Sequence, residues 1–546
     1  DGVMPQTREH LDILNLLNVS AGCIALTKTD IVEPDWLDLV EETVREAVSG
    51  TFLESASLIR CSAVTGEGVD KLRREIEQIS ANIPVRLDRG IPRLPIDRAF
   101  TVKGFGTVVT GTVISGKFTA GDSLELLPKR TPVKVRGIQT HGHRADAVGI
   151  SERAALNLSN VSVDEIERGD QVTEPGFLSV TNEAYASVSL LSSEDEPLST
   201  NQRVRIHLGT TEILARCSPI GSREIQPGDS GYVRLRFEEQ AIVGFADRYI
   251  MRFYSPMHTI GGGKVLFPER LPSIGRQVLL THLERLKSDD LAILIETVSQ
   301  LRSPILLSAR DFSRELFFGR NLLEAPLENL VKDGTLRAVV ADDATKYILS
   351  REWTRLRSRV SDTLDEYHTN NPKEPGISKN RLLQEVDIPE GTFNALLDEL
   401  IANGEIVEER NLLRQPGFTI RLTPEEEETK QQIEEAILNA RFEPPSLNDL
   451  EAMVDSSGQT LQQYLKILLY ENSVVRAGGE LYLHTQVQSE LHDMLKDYFN
   501  SNDELSVGDF KALTGSSRKY VIPLLEYADQ QGWTIREQDT RRKHNL

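Results

Sequence analysis

Two short stretches carry residue types suited to reading a nucleobase. AGCIALTKTD, at residues 21–30, runs from small and apolar residues into Thr27-Lys28-Thr29-Asp30. In a loop of the form [NT]-K-x-D, one carboxylate accepts two hydrogen bonds from the N1 and N2 groups of guanine, a geometry that excludes adenine. Taken alone the motif is weak, because Lys and Asp are common in surface loops. The next apolar run, SLIRCSAVTGEGVDKL at 57–72, ends in Cys61-Ser62-Ala63, where a backbone N–H near Ala63 can bind the guanine O6. Thr27, Lys28, Asp30, Ser62 and Ala63 together form both halves of a base pocket. No GxxxxGK[ST] loop, the usual cradle for phosphates and Mg²⁺, occurs in these residues. His10 lies in QTREHLDILNLL, a helix-like stretch where a partly exposed structural histidine is the expectation. No residue is assigned a catalytic role.

The elements that position these loops are read from periodicity. Residues 21–30 read as a buried strand entering a polar loop, followed by a helix at about 36–48; the second strand ends at 61–63 and leads into a helix from about 68 to 79. Strand, helix, strand, helix is parallel α/β grammar. From about Arg89 to Gly275 helical periodicity gives way to short β-branched runs broken by glycine. The turns Gly121-Asp122, Gly169-Asp170 and Gly228-Asp229 each lead into an apolar strand, which predicts two barrels of about 90 residues, divided near Leu178.

Beyond Arg276 the pattern is helical again, with a weak repeat of about 60–70 residues. Four segments share one ending: LLEAPLENLVKDGTLRAVV, TFNALLDELIANGEIVEER, TLQQYLKILLYENSVVRAG and YVIPLLEYADQQGWTIREQ. Each is an amphipathic helix, a tight turn at Gly334, Gly404, Asn472 or Gly532, then a strand. That is the winged-helix form of the helix-turn-helix, whose last helix can touch nucleic acid.

Composition restricts where such contacts can lie. The 546 residues are 39% hydrophobic and 27% charged, with no apolar run long enough to span a bilayer, so several soluble domains are expected. The three cysteines, Cys23, Cys61 and Cys217, form no CxxC pair and no His/Cys cluster at metal spacing, so a reducing cytoplasm fits and no metal site is expected. The net charge of -21 argues against nucleic-acid binding over the whole surface. A local patch remains: residues 511–546 hold seven Lys/Arg against four Asp/Glu, a net of +3. Arg518, Lys519 and Tyr520 open the last recognition helix, and Arg536, Arg541, Arg542 and Lys543 lie on or after the wing. Such a patch suits the phosphates and unpaired bases of an RNA loop; a solvated tail with Tyr520 packed in the helix is the plain alternative, and Tyr527 and Trp533 are read as core. Acidic runs such as PEEEETKQQIEEAI at 424–437 make the other modules a spacer.

A guanine pocket followed by two barrels resembles the translational GTPases typified by elongation factor Tu. DGVMPQTREHL is similar to the segment after that family's third nucleotide motif, AFTVKGFGTVVTGTVISGKFTAGDSLEL to its second domain, and GTTEILARCSPI with RYIMRFYSPMHTIGGGKV to its third. With four terminal winged helices, the chain resembles the bacterial selenocysteine-specific elongation factors. The resemblance implies a partial α/β P-loop-type GTPase domain at 1–88, β-barrels at 89–177 and 178–269, and winged helices at 270–350, 351–417, 418–486 and 487–546. The family's first three nucleotide motifs would precede Asp1, so an N-terminally truncated GTPase, inactive on its own, is expected.

Cofactors, partners and a cargo pocket are implied by the same resemblance. GTP or GDP with Mg²⁺ is the cofactor of the complete protein. Selenocysteinyl-tRNA, a SECIS-type mRNA hairpin and the ribosome are the partners of a cytoplasmic monomer with no membrane contact. Asp97 and Arg98 of IDRAFTVKG with Arg153 of SERAALNL would form a cationic pocket for the selenol, which is anionic at neutral pH. A barrel-edge ion pair is the plain alternative for these three residues. A general tRNA carrier would explain the front of the chain, and a winged-helix regulator without GTPase activity the back.

Overall fold

The computed structural model describes residues 2–83, 87–454 and 458–546, and divides into two units, 1–353 and 354–546. The first unit opens with strands Ile24–Leu26 and Leu58–Arg60 paired in parallel, Ile24 opposite Leu58 and Leu26 opposite Arg60. Helices Pro5–Leu16, Pro34–Val48 and Val69–Asn82 accompany them. Both strands are shorter than the sequence suggests, because the polar loops after them leave the sheet at once. Gly68, the turn into the last of these helices, has φ +74°, and a Cβ there would stand 1.9 Å from the Arg60 carbonyl oxygen. Only glycine fits so tight a strand-to-helix return. The first helix is tied to the second barrel by Glu9, whose Oε1 accepts from Thr259 Oγ1 at 2.8 Å and Arg252 Nη2 at 2.6 Å. These donors, Thr259 foremost, hold the Glu9 carboxyl below its usual range.

Both barrels are antiparallel and closed. The first runs Arg153–Ser159, Gly106–Thr112, Arg93–Val102, Gln171–Thr173, Ser123–Leu127 and Thr131–Thr140, then back to Arg153–Ser159. The second runs Ser179–Leu190, Ser230–Val243, Thr211–Ile220, Gln202–Leu208, Arg248–Phe253 and Thr259–Phe267. Alternation fills each interior: Leu94, Ile96, Val109, Leu156 and Val172 in the first, Val204, Ile206, Leu235 and Met251 in the second. Gly121, Gly169 and Gly228 take φ of +103°, +106° and +81°, the conformation their turns require.

The barrels are joined by a buried ion pair. Arg93, 4% exposed, donates from Nη1 and Nη2 to Asp247 Oδ1 and Oδ2 at 2.5 and 2.8 Å, and from Nε to Gln171 Oε1 at 2.7 Å. The first unit ends in a winged helix of Leu291–Arg302, Ala309–Leu316 and Arg320–Lys332 over strands ordered Leu307–Ser308, Ala344–Leu349, Leu336–Ala341. Its core is continuous with Phe177, Phe245 and Phe267 of the barrels.

The second unit repeats that motif three times, with terminal hairpins Val407–Glu409 with Leu412–Arg414, Val474–Arg476 with Tyr482–His484, and Thr534–Glu537 with Thr540–Lys543. Gly334, Gly404, Asn472 and Gly532 all have positive φ, +80°, +71°, +62° and +73°, where each long helix stops. Three of the modules also share a capping signal that hydrophobic periodicity does not reveal. Ser308, Ser446 and Ser506 each exchange hydrogen bonds with an aspartate three residues on, Asp311, Asp449 and Asp509, a capping box at each middle helix.

Truncating Asp247 leaves the Arg93 charge buried and unpaired. Asp247→Ala is therefore expected to destabilise the first unit by about 3–5 kcal/mol, read as a lower urea midpoint.

Candidate functional site

The two loops of the base pocket meet because their strands are neighbours. The Thr29 backbone N–H donates to the Cys61 carbonyl at 3.5 Å and Cys61 N–H to Leu26 O at 2.8 Å. Thr27, Lys28 and Asp30 are exposed, with Lys28 at φ +61° turning the loop outward. Ser62 is fully buried, and its Oγ accepts from the N–H groups of Val64 and Thr65 at 3.2 Å, which fixes the second loop and leaves Ala63 at its surface. Thr29 Oγ1 is buried without a partner. A free carboxylate on one loop and an orphaned hydroxyl beneath it fit a base that supplies donors and acceptors of its own. A groove of about 420 Å³ continues from Thr27 and Lys28 along Ile31, Val32 and Trp36.

A single extra residue builds the second site. In strand Arg93–Val102, Ile96 stands opposite Gly111 but Arg98 opposite Thr110, so Asp97 is a β-bulge. The bulge reverses the alternation: Leu94 and Ile96 face the core, Ala99 packs against it, and Arg98 and Phe100 face out. On the next strands Arg153 is opposite Thr112 and Ala155 opposite Thr110, so Arg98 and Arg153 share the outer face. Asp97 Oδ1 accepts from Thr110 Oγ1 at 2.7 Å, and Oδ2 pairs with Arg153 Nη2 at 2.7 Å. The carboxylate thus orients one guanidinium, while Arg98, exposed, has no acidic partner among the described residues. Along the same face a groove of about 380 Å³ is lined by Phe100, Val108, Asn157, Arg136 and Arg144.

An arginine-rich face on the second barrel was not foreseen. Across three strands Arg203 is opposite Arg216 and Arg216 opposite Arg236, and Arg205 is opposite Arg252. Like charges directly opposite are unfavourable. Glu238 compensates Arg203 at 2.8 and 2.6 Å, but Glu183 reaches Arg234 and Arg236 only at 3.8 and 3.9 Å. Beside them a hollow of about 680 Å³ is lined by Arg223, Arg234, Arg236 and Arg276. The signal lay in alternate arginines, Arg203 and Arg205 on one strand and Arg234 and Arg236 on another, whose common face depends on strand pairing.

The last module requires one correction. Arg541 is 5% exposed, its Nε 2.9 Å from Asp529 Oδ2, while Thr534 Oγ1 donates to Asp529 Oδ1 at 2.6 Å. It points inward and ties the wing to the long helix, so it is not a surface contact. Arg542 lies between Glu504 and Glu537 at 2.9 and 3.2 Å. Arg536 is exposed and donates to Gln538 O. Tyr520 packs partly against the core with Lys519 Nζ 5.2 Å from its ring centroid, and Tyr527 is buried as expected. Arg518, Lys519 and Lys543 are exposed. The N-terminus of the helix Arg518–Gln530 is already engaged, because Ser517 N–H donates to Glu443 Oε1 at 2.5 Å. His10 is exposed on the first helix.

Removing the bulged residue tests its role in orienting Arg153. Deletion of Asp97 joins Ile96 directly to Arg98, which keeps Arg98 opposite Thr110 and facing out, so the folded signal in circular dichroism is expected to persist while Arg153 loses its carboxylate partner. Asp97→Asn keeps the fold, with a stability change under about 1 kcal/mol, because the Arg153 side chain is more than half exposed and solvent screens the pair.

Comparison with known proteins agrees with this assembly. Residues 1–82 match the elongation factor Tu GTP binding domain, 106–173 elongation factor Tu domain 2, and 185–270 the beta-barrel domain of selenocysteine-specific elongation factor. Residues 361–414 and 497–542 match two winged-helix families of elongation factor SelB. The chain is 32% identical over 556 residues to the selenocysteine-specific elongation factor of Desulfomicrobium baculatum, covering 99% of this chain and 86% of that protein. It is 28% identical to that of Escherichia coli K12, covering 98% and 84%. The crystal structure of a bacterial selenocysteine-specific elongation factor EF-Sec shares the fold, with a TM-score of 0.64 at 24% identity over 100% of this chain and 84% of that one. With its partial GTP-binding domain, paired barrels and winged helices, this chain belongs to the selenocysteine-specific elongation factors.

Proposed function

We propose that the chain carries selenocysteinyl-tRNA to the ribosome at UGA codons, under GTP control, and is recruited there by an mRNA hairpin through its last winged helix. The observation that carries this reading is the Asp97 bulge, which gathers Arg98 and Arg153 on one outer face around a carboxylate. A selenol is ionised at neutral pH where serine's hydroxyl is not, so a paired guanidinium site favours the selenocysteinyl ester. The groove beside it, with Phe100 as an apolar wall and Arg136 and Arg144 at its edge, suits the nucleotide end that bears the ester. The arginine row of the second barrel suits the phosphates of the tRNA body.

GTP and Mg²⁺ are the cofactors that the GTP-binding domain implies. The residues of this chain that fit the nucleotide are those of the base pocket: Asp30 reads N1 and N2, Ala63 N–H meets O6, and Thr27 and Lys28 flank the ring. Bound GTP would supply the switch between holding and releasing cargo. Anchoring at the hairpin raises the local concentration of the cargo complex beside the decoding site, so UGA decoding needs no unusual codon affinity. Arg518, Lys519, Arg536 and Lys543 are the cations that face solvent for that purpose. A cytoplasmic place of work follows from the cargo. No described helix is long and apolar enough to cross a membrane.

Two experiments test this. Arg98→Ala or Arg153→Ala should remove about 1–3 kcal/mol of discrimination between selenocysteinyl-tRNA and seryl-tRNA in competitive filter binding; equal loss for both tRNAs would refute the pocket. Lys519→Ala and Lys543→Ala should each weaken hairpin binding and lower the salt slope by about 1 in gel shifts, whereas Arg541→Ala should act first by destabilising the module. Hairpin affinity unchanged in the Lys519/Lys543 double variant would reassign the RNA site.

A further inference from the structure

A cavity of about 410 Å³ opens where five parts of the first unit meet: Asn18 after the first helix, Arg89 before the first barrel, Ser115 in that barrel, residues 245–248 of the second barrel, and Phe317 of the first winged helix. Neither the base pocket nor the Asp97 face contributes to it. Cations are prominent in its lining. Arg89, Arg93 and Arg248 line it, and Lys264 flanks it with Nζ 5.9 Å from the Phe245 ring centroid. Of the carboxylates, Asp247 is held on both oxygens by Arg93, Asp88 Oδ1 accepts from the Gly90 and Gly116 N–H groups at 2.8 and 2.7 Å, and Asp289 acts on Arg248 and Lys264 only through its field. Arg248 has no ion pair among the described residues, and its one hydrogen bond is a long 3.4 Å contact from Nη1 to the Leu16 carbonyl. Burial holds its guanidinium and the Lys264 ammonium below their ordinary ranges, and Arg89 and Arg248 lower Lys264 further.

Ser115 supplies a second, independent observation. It is 2% exposed and lines the cavity, yet its Oγ has no hydrogen-bond partner. Leaving a buried hydroxyl unpaired is unfavourable by about 1–3 kcal/mol, and an acceptor inside the cavity removes that deficit. Crowded cations beside an orphaned donor call for an anion with several acceptor oxygens. The apolar surfaces of Phe245 and Phe317 leave room for a small substituent behind it.

We propose that this junction is a binding site for a phosphate group, free or carried on a small ester, gripped by Arg248 and Lys264 with Ser115 Oγ donating to it. A phosphate offers an acceptor oxygen each to Arg248, Lys264 and Ser115 Oγ, one more than a carboxylate has. The walls belong to five separate elements, so the bound phosphate braces the base-reading part, both barrels and the first winged helix against one another.

Calorimetric titration of the full chain with inorganic phosphate and with phenyl phosphate, in chloride of matched ionic strength, tests this. Saturable binding with a rise in melting temperature is expected. Tighter binding of phenyl phosphate marks an ester as the ligand, and tighter binding of inorganic phosphate the free ion. Arg248→Gln should weaken binding by about tenfold or more, the loss expected for a charge-assisted contact, Ser115→Ala should weaken it less, and Arg248→Lys should retain most of it. Absence of binding up to about 10 mM, a limit weaker than ordinary metabolite sites, or equal affinity in folded Arg248→Gln, overturns the proposal.

Discussion

The buried pair of Arg93 and Asp247 is the constraint on which the first unit depends. Two barrels packed only through side chains could settle at many angles. A guanidinium held on both carboxylate oxygens, with its third donor on Gln171, accepts one. The same strand that carries Arg93 continues into the Asp97 bulge, so the anchor between barrels and the candidate cargo face are four residues apart on one rigid element. The Phe317 ring lies under the Arg93 guanidinium at 5.3 Å, and Arg89 lies over Phe318 at 4.7 Å. The turn of the first winged helix is therefore packed against the barrels and occupied by protein contacts.

Charge is distributed to the same end. A chain of net charge -21 repels RNA in general, and its arginines are collected where strand pairing places them side by side: on the outer face of the second barrel, around Asp97, and on the last module. Where the cations are structural they are neutralised, as Arg541 is by Asp529 and Arg302 by Glu269 and Glu315. Where they are not, as at Arg98, the cation faces solvent with no acidic partner among the described residues.

Much of this was legible in the sequence, for definite reasons. The loops at 27–30 and 62–63 could be read because each comes after an apolar run that ends abruptly, and neighbouring parallel strands bring their ends together. The four module endings could be read because helix termination needs a left-handed residue, and Gly334, Gly404, Asn472 and Gly532 supply it. The bulge could not, since IDRAFTV has no mark of where its partner strand skips a residue. Nor could the arginine row, which exists only through the registers that set Arg203, Arg216 and Arg236 abreast. Arg541 and Arg542 show a nearer miss. Adjacent residues of a strand point to opposite sides, so one of the two had to turn inward, and burial of Arg541 decides which.

The third and fourth winged helices share one core. Phe442, Ala477 and Leu483 pack in the same cluster as Leu495, Phe510 and Leu524, and Ser516 Oγ donates to the Phe442 carbonyl. A fragment that starts at the fourth module would bare the apolar surface that Phe442 and Leu483 cover. The smallest piece that keeps this core whole is thus a fused pair, and a push on the fourth module's hairpin would pass to the third through packed side chains instead of a slack linker.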